Sequence, residues 1–262
     1  MNILENFCEF SGLPENRVLT SSTSILKTYL RLRCLAFQNQ ATEVRKLTSL
    51  YFELGHNPLN NLVKKLVDFQ SKLLGFEVTQ LKALPQFEAK DQSEKWFQAE
   101  VDYWNGMLHL ARNENQRASS CFIKANRKYQ ECEAFEYAMD ASYQDLRCLL
   151  RENDSFAYRI KLTQTLSSPQ SCIENSYVKC IIHKIKAMDA INNEDFQFAL
   201  ENLDQAIGLQ NVINNTFELG ELFVEKTYVM LIEKKYEQFD FFWDSESVKF
   251  ADLSEHHRTL LE

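Results

Sequence analysis

The sequence predicts an all-α protein, and three observations lead to that prediction. The 262 residues include only 6 Gly and 4 Pro, whereas a fold built from short strands needs turn residues about every 8 to 12 positions. Hydrophobic residues make up 45% of the chain, which is enough for a well-buried core. Apolar residues also recur at helical spacing, so we expect a stack of helices.

In the first third of the chain, periodicity alone predicts helices. Thr20, Ser21 and Ser22 are N-cap residues placed before an apolar face that includes Ile25 and Tyr29. Residues 30–55 are interpreted as two helices around residues 39–41, and residues 62–84 as two more around Gly75. Gly55 and Gly75 are typical of the position that follows a helix C-terminus.

Residues 99–129 form the clearest predicted hairpin. A helix with one internal glycine, Gly106, ends near Ala111, and residues 112–115 form a break. The next helix carries Ala118, Phe122 and Ala125 at i, i+4 and i+7, which places them on one face. The order small, large, small allows two helices to approach closely.

The same pattern recurs along the chain. In residues 180–209, Ala187 takes the small position of the first helix, and the second carries Ala199, Leu203 and Ala206. Ala118 and Ala199 are 81 residues apart, or two units of about 40, with Ala157 near the midpoint. A further turn and helix start follow at residues 233–239. The spacing indicates an internal repeat of about 40 residues.

Gly106, Ala118, Phe122 and Ala125 resemble the small, small, bulky and small positions of a tetratricopeptide repeat. Asp102 departs from the pattern, because that position usually holds Trp or Leu. The resemblance implies one domain over residues 1–262, a right-handed α-α superhelix or solenoid of about five to six helix-turn-helix repeats. Internal seams are expected near residues 85–91 and 167–171. The long unit is also similar to the superhelical sensor arms of some large bacterial transcription activators.

Composition and motifs argue against several other classes of protein. No apolar run is long enough for a transmembrane helix, no secretion signal is recognisable, and seven scattered cysteines contain no C-x-x-C pair, so we expect a cytoplasmic protein with reduced thiols. A net charge of -8 makes nucleic-acid binding by this segment unlikely on electrostatic grounds. No glycine-rich phosphate loop, hydrolase motif or metal-ligand spacing is present, so we expect no cofactor, no metal and no enzymatic activity.

The resemblance implies that the inner groove of the stack binds a partner. The expected partner-binding side chains lie on the first helices of the repeats and are Glu100, Tyr103, Trp104, Met107, Tyr143, Lys184 and Met188. Aromatic and methionine side chains at helical spacing are also typical of a core, so this interpretation competes with simple packing. Met107 and Met188 stand where the family's carboxylate clamp would have Asn, which disfavours a chaperone-tail adaptor.

Two functions therefore remain open. One is a scaffold that binds a protein or peptide in the groove, and the alternative is the sensor arm of a longer bacterial regulator whose output domain lies beyond residue 262. A homodimer through a terminal repeat is a further expectation, on the hypothesis that an apolar end face carries Phe239, Phe241, Phe242 and Trp243.

Overall fold

The computed structural model describes residues 22–37, 41–52, 58–74, 78–79, 81–213 and 216–250. Eleven α-helices are present in these ranges, with one 3-10 helix at Pro169–Cys172 and no strand. The α-helices are α1 Ser22–Phe37, α2 Ala41–Phe52, α3 Pro58–Leu74, α4 Gln92–Ala111, α5 Asn115–Glu131, α6 Phe135–Arg151, α7 Ser155–Leu166, α8 Ser176–Asn192, α9 Phe196–Ile213, α10 Thr216–Ile232 and α11 Tyr236–Phe250. The all-α prediction is confirmed.

The helices pack neighbour to neighbour in chain order. From α4 to α11 they form four hairpins, and we call the first helix of each hairpin an A helix (α4, α6, α8, α10) and the second a B helix (α5, α7, α9, α11). The helices α1, α2 and α3 pack on one another, and α1 and α3 also pack on α4. In addition α1 contacts α10, so it touches both the first and the last A helix.

The four hairpins share one turn, which fixes the repeat length. Asn113, Asn153, Glu194 and Lys234 follow the A helices and are the only described residues besides Glu133 with a positive φ, between 56° and 59°. After each of them, a backbone N–H bonds to the carbonyl five residues earlier, as in a Schellman motif. These turns are spaced by 40, 41 and 40 residues, which agrees with the predicted period.

The packing inside the first hairpin follows the predicted pattern. Gly106 of α4 lies against the ring of Phe122, so closely that an added Cβ would stand 2.7 Å from Cε1 of that ring. Ala118 and Ala125 flank Phe122 and are fully buried. The small residues therefore allow α4 and α5 to approach over one aromatic ring.

The hairpin of α6 and α7 is offset by one residue from its predicted register. The structurally equivalent position to Ala118 and Ala199, counted from the turn, is Tyr158, which is buried, whereas Ala157 is half-buried. Asp154 caps α7 by accepting a hydrogen bond from the N–H of Ala157 at 3.0 Å, and this cap sets where the helix begins.

One predicted helix is wrong. Residues 62–84 do not form two helices, because α3 continues to Leu74 and residues 81–90 contain no helix. The side chain of Asn105 bonds the backbone of Leu84 on both sides, accepting from its N–H at 2.7 Å and donating to its carbonyl at 3.0 Å. Pro85 cannot donate a helical hydrogen bond, so an extended path held by α4 is favoured here. The predicted caps at Thr20, Ser21, Gly55 and Gly75 lie outside the described residues.

Of the five cysteines whose burial the structure describes, two are buried, two are half-buried and one is exposed. Cys148 and Cys180 are fully buried, and desolvation raises the pKa of each thiol to about 12. Cys172 lies in the 3-10 helix and is exposed. Among the described helices, none is both long enough and apolar enough to span a membrane.

Substitution of Gly106 and of Gly208 by alanine should have opposite effects on stability. Gly106→Ala should lower the free energy of unfolding, because the added methyl group meets the buried ring of Phe122 and such overpacking costs about 1–3 kcal/mol. The better helix propensity of alanine offsets up to ~1 kcal/mol of that loss. Gly208 is exposed in α9 with no atom within 4 Å of the added Cβ, so Gly208→Ala should raise it by about 0.5–1 kcal/mol. Urea unfolding of both variants checks this, and stabilisation by Gly106→Ala would contradict the described contact.

Thiol reactivity gives a second test of the packing. At pH 8, iodoacetamide should modify Cys172 well before Cys148 and Cys180, because the two buried thiols are almost entirely protonated and shielded. Peptide mass spectrometry against time gives the order of modification. After denaturation the three sites should react at similar rates; a native Cys148 as fast as Cys172 would show that α6 is not packed as described.

Candidate functional site: the inner face of the helical stack

The inner face consists of the sides of the A helices that face one another and α1. Counting back from the turns identifies equivalent positions on successive A helices. The positions ten residues before the first three turns form a deep row of Tyr103, Tyr143 and Lys184, all buried. The positions six residues before the same turns form a rim row of Met107, Arg147 and Met188, all half-buried. Five of the seven predicted residues therefore belong to two structurally equivalent rows.

Glu100, on α4, is the centre of the first part of the inner face. Its carboxylate is fully buried and accepts hydrogen bonds from four side chains of three helices. The donors are the Tyr29 hydroxyl at 2.6 Å, the Arg33 guanidinium at 2.5 Å, the Trp104 indole N–H at 2.9 Å and the Tyr129 hydroxyl. A buried carboxylate needs this degree of pairing, because desolvation of an unpaired charge costs several kcal/mol.

Arg33, on α1, supplies the positive charge that neutralises Glu100. Its guanidinium lies 4.7 Å from the ring centre of Tyr137 and 5.6 Å from that of Tyr103. Burial by itself lowers the pKa of Arg33, but the attraction of Glu100 acts together with that of three tyrosines, Tyr129, Tyr137 and Tyr29, and the pKa is raised. Burial and Glu100 together raise the pKa of Tyr129 well above its ordinary value, so this hydroxyl remains a donor.

Asp140, on α6, links three A helices. Its carboxylate accepts from the Tyr103 hydroxyl of α4 at 2.8 Å and from the Tyr177 hydroxyl of α8 at 3.1 Å. Burial and then the charge of Asp140 raise the pKa of both tyrosines well above the ordinary value. Tyr103 is thus a linking residue between repeats.

Charged side chains connect α6, α8 and α10 further along the inner face. Lys184 forms a buried ion pair with Glu218, and its ammonium lies 4.5 Å from the ring centre of Tyr143. Burial lowers the pKa of Lys184, but Glu218 together with Tyr143, Cys180 and Asp140 outweighs that effect and the pKa is raised. Arg147 reaches Glu221 of α10 at 3.6 Å and remains half-buried. The deep row is therefore occupied by contacts within the chain.

The structure thus separates the seven predicted residues into two groups. Glu100, Tyr103, Trp104, Tyr143 and Lys184 are buried against other residues of this chain. Met107 and Met188 are half-buried and reachable from solvent. Sequence reasoning missed Arg147, although the 40-residue spacing places it between these two methionines. It also missed Arg33 and Asp140, whose partners lie on other helices and leave no local signal.

A second concave feature lies between the hairpins. A cleft with a volume of about 230 Å³ opens between α5, α6, α7 and the 3-10 helix. Its lining is rich in amide and hydroxyl groups and consists of Asn126, Gln130, Ala138, Met139, Ser142, Lys161, Gln164, Thr165, Ser168 and Gln170. Asn126 already donates to the Ala138 carbonyl at 2.7 Å and the Ser142 hydroxyl at 2.8 Å, and Lys161 lies 3.1 Å from Asp145. Asn126 thus joins α5 to α6 of the next hairpin, and Lys161 joins α7 to α6 within one hairpin.

The two described histidines within A helices have single polar partners. His109 lies 2.7 Å from the Glu114 carboxylate, and His183 lies 2.9 Å from the Asn202 amide oxygen. Within the described part of the chain, no group of three or more His, Cys, Asp or Glu side chains is arranged to hold a metal ion. The adjacent His256 and His257 lie outside that part.

Comparison with known proteins gives no relative. No family model, no curated protein and no solved structure matches this chain.

Removal of either partner of the Arg33–Glu100 pair should be strongly destabilising. We expect Glu100→Gln and Arg33→Met each to lower the free energy of unfolding by about 3–5 kcal/mol, because each leaves an opposite charge buried without its counter-ion. The double variant should lose less than the sum of the two, and urea unfolding of all four proteins measures the coupling.

Glu114→Gln is the matched control. Glu114 bonds His109 and lies 3.2 Å from Arg117, but it is much more exposed, so its removal should have a far smaller effect. If the double variant loses the sum of the two single losses in unfolding free energy, to within about 0.5 kcal/mol, then Arg33 and Glu100 do not interact specifically.

Proposed function

We propose that this chain is a protein-binding scaffold of the tetratricopeptide-like type, and that it binds a segment of another protein along the rim row. The observation that carries the proposal is the rim row itself. Met107, Arg147 and Met188 occupy equivalent positions on three successive A helices, and each remains partly open to solvent. A linear segment laid across α4, α6 and α8 would meet them in turn.

The residue types of the rim row support this proposal. Methionine side chains adapt to partners of different shape, and Met and Arg are both enriched at protein interfaces. The guanidinium of Arg147 pairs with Glu221, and its central carbon lies 5.7 Å from the ring centre of Tyr143. These two contacts hold the guanidinium in place before a partner binds. The expected partner segment has apolar side chains for the methionines and a carboxylate or carbonyl oxygen for Arg147.

The deep row has a supporting role in this proposal. Tyr103, Tyr143 and Lys184 join neighbouring A helices, and their buried contacts hold the rim row on a fixed surface. The right-handed superhelix is part of the same proposal. It is supported by the 40-residue unit, by the close contact of Gly106 with Phe122 and by hairpins that pack on their neighbours.

Photo-crosslinking from defined positions tests the proposal. A benzophenone side chain at Met107 or Met188 should capture one and the same protein from lysate of the source cell, because both positions contact one bound segment. The matched control is Phe156, which is 78% exposed on the B helix α7 and away from the inner face. Crosslinking at that position should not enrich the captured protein.

Substitution of the rim row should then abolish capture. The double variant Met107→Glu, Met188→Glu should bind the captured protein at least about tenfold more weakly, equivalent to ~1.4 kcal/mol, with an unchanged circular dichroism spectrum. Capture that is equally strong from Phe156, or binding that the double variant leaves unchanged, would contradict a site on the rim row.

A further inference from the structure

Among the described A helices, α10 exposes a row of apolar side chains whose equivalents on the other three are buried or half-buried. Val224, Tyr228 and Leu231 stand ten, six and three residues before the turn at Lys234. Tyr228 is 58% and Leu231 46% exposed, and Val224 is half-buried. In α4 the equivalent positions are Tyr103, Met107 and Leu110, of which the first and the last are buried.

The difference has a direct cause in the stack. Each deep-row residue is covered by the A helix of the next hairpin: Tyr103 bonds Asp140 of α6, the Tyr143 ring contacts Lys184 of α8, and Lys184 pairs with Glu218 of α10. In the described part of the chain α10 packs mainly on α9, α11 and α1. The exposure of Tyr228 and Leu231 shows that none of these helices covers that part of the row. The row on α10 is therefore a helix-packing surface of the same kind without its neighbour.

The aromatic residues of α11 do not form this end surface. Phe242 is buried and packs edge-on against Phe223, with 5.4 Å between the two ring centres. Phe239 and Trp243 are half-buried. Only Phe241 of the four is exposed, at 77%. The expected end face on α11 is thus corrected to one on α10.

The charges that flank the row make it complementary to itself. Glu221, which also pairs with Arg147 of its own chain at 3.6 Å, lies at its N-terminal end, and Lys234 and Lys235 follow its C-terminal end. When two copies of α10 pair antiparallel about an axis near Tyr228, Glu221 of each copy lies opposite the lysines of the other. The positive end of each helix dipole then also lies beside the negative end of its neighbour. A two-fold contact requires this kind of self-complementary surface.

We infer that the apolar row of α10 binds a second copy of this chain, as a homodimer with antiparallel α10 helices. The second α10 takes the place that the next A helix occupies in the other hairpins, and it buries Val224, Tyr228 and Leu231 of both copies. Because two chains of net charge -8 repel each other and the row is short, the dimer should be weak and concentration-dependent. This surface is separate from the rim-row segment used in the proposed function.

Sedimentation velocity of the full chain tests the dimer. Over a hundredfold range of protein concentration the wild type should shift from monomer towards dimer. Leu231→Glu should weaken dimerisation at least tenfold, because it places a charge in the paired row. Phe241→Glu is the matched control, since it adds the same charge at a more exposed position outside the row and should leave dimerisation unchanged.

A crosslink tests the orientation of the two copies. In a Cys172→Ser background, Tyr228→Cys should form a disulfide between two copies, and Phe156→Cys should not, although Phe156 is the more exposed position. The diagnostic product is the symmetric 228–228 peptide, identified by mass spectrometry. A wild-type chain that stays monomeric throughout, a dimer that Leu231→Glu leaves intact, or the absence of the 228–228 peptide would overturn the inference.

Discussion

The buried carboxylate of Glu100 is the constraint on which the rest of the inner face depends. It is fully buried and held by Tyr29 and Arg33 of α1, Trp104 of its own helix and Tyr129 of α5. An apolar contact at this place would tolerate small shifts of each helix. A buried charge does not tolerate such shifts, because the loss of any one donor leaves part of the desolvation cost of the carboxylate without a compensating hydrogen bond. The position of α1 relative to the first hairpin is therefore defined by polar geometry.

The same principle continues along the stack with alternating charges. Asp140 joins α4, α6 and α8 through two tyrosines, and Lys184 with Glu218 joins α8 to α10. Because these groups satisfy one another, the deep part of the inner face has little left to offer a partner. What remains accessible is the rim row on α4, α6 and α8 and the uncovered side of α10. Both proposals use these two surfaces, and they involve different residues.

The sequence indicated more about the fold than about the site. The hairpin of α4 and α5 could be predicted because Gly106 and the face of Ala118, Phe122 and Ala125 are local patterns with a known steric meaning. The segment at residues 81–90 could not, since its path depends on the side chain of Asn105, about twenty residues later in the chain. Likewise, the sequence placed Tyr103 and Lys184 on the inner side of their helices but did not show that other helices already cover them.

The sequence by itself determined the helices, their turns and the period of about 40 residues, because helical periodicity, capping groups and close packing of small residues act over short distances along the chain. Only the tertiary structure decided which inner-face residues stay reachable. Burial of Tyr103 depends on Asp140, burial of Glu100 on Arg33, and exposure of Tyr228 on the absence of a neighbouring hairpin among the described residues. Such pairings join residues up to 71 positions apart, and no local pattern specifies the partner of a charge over that separation.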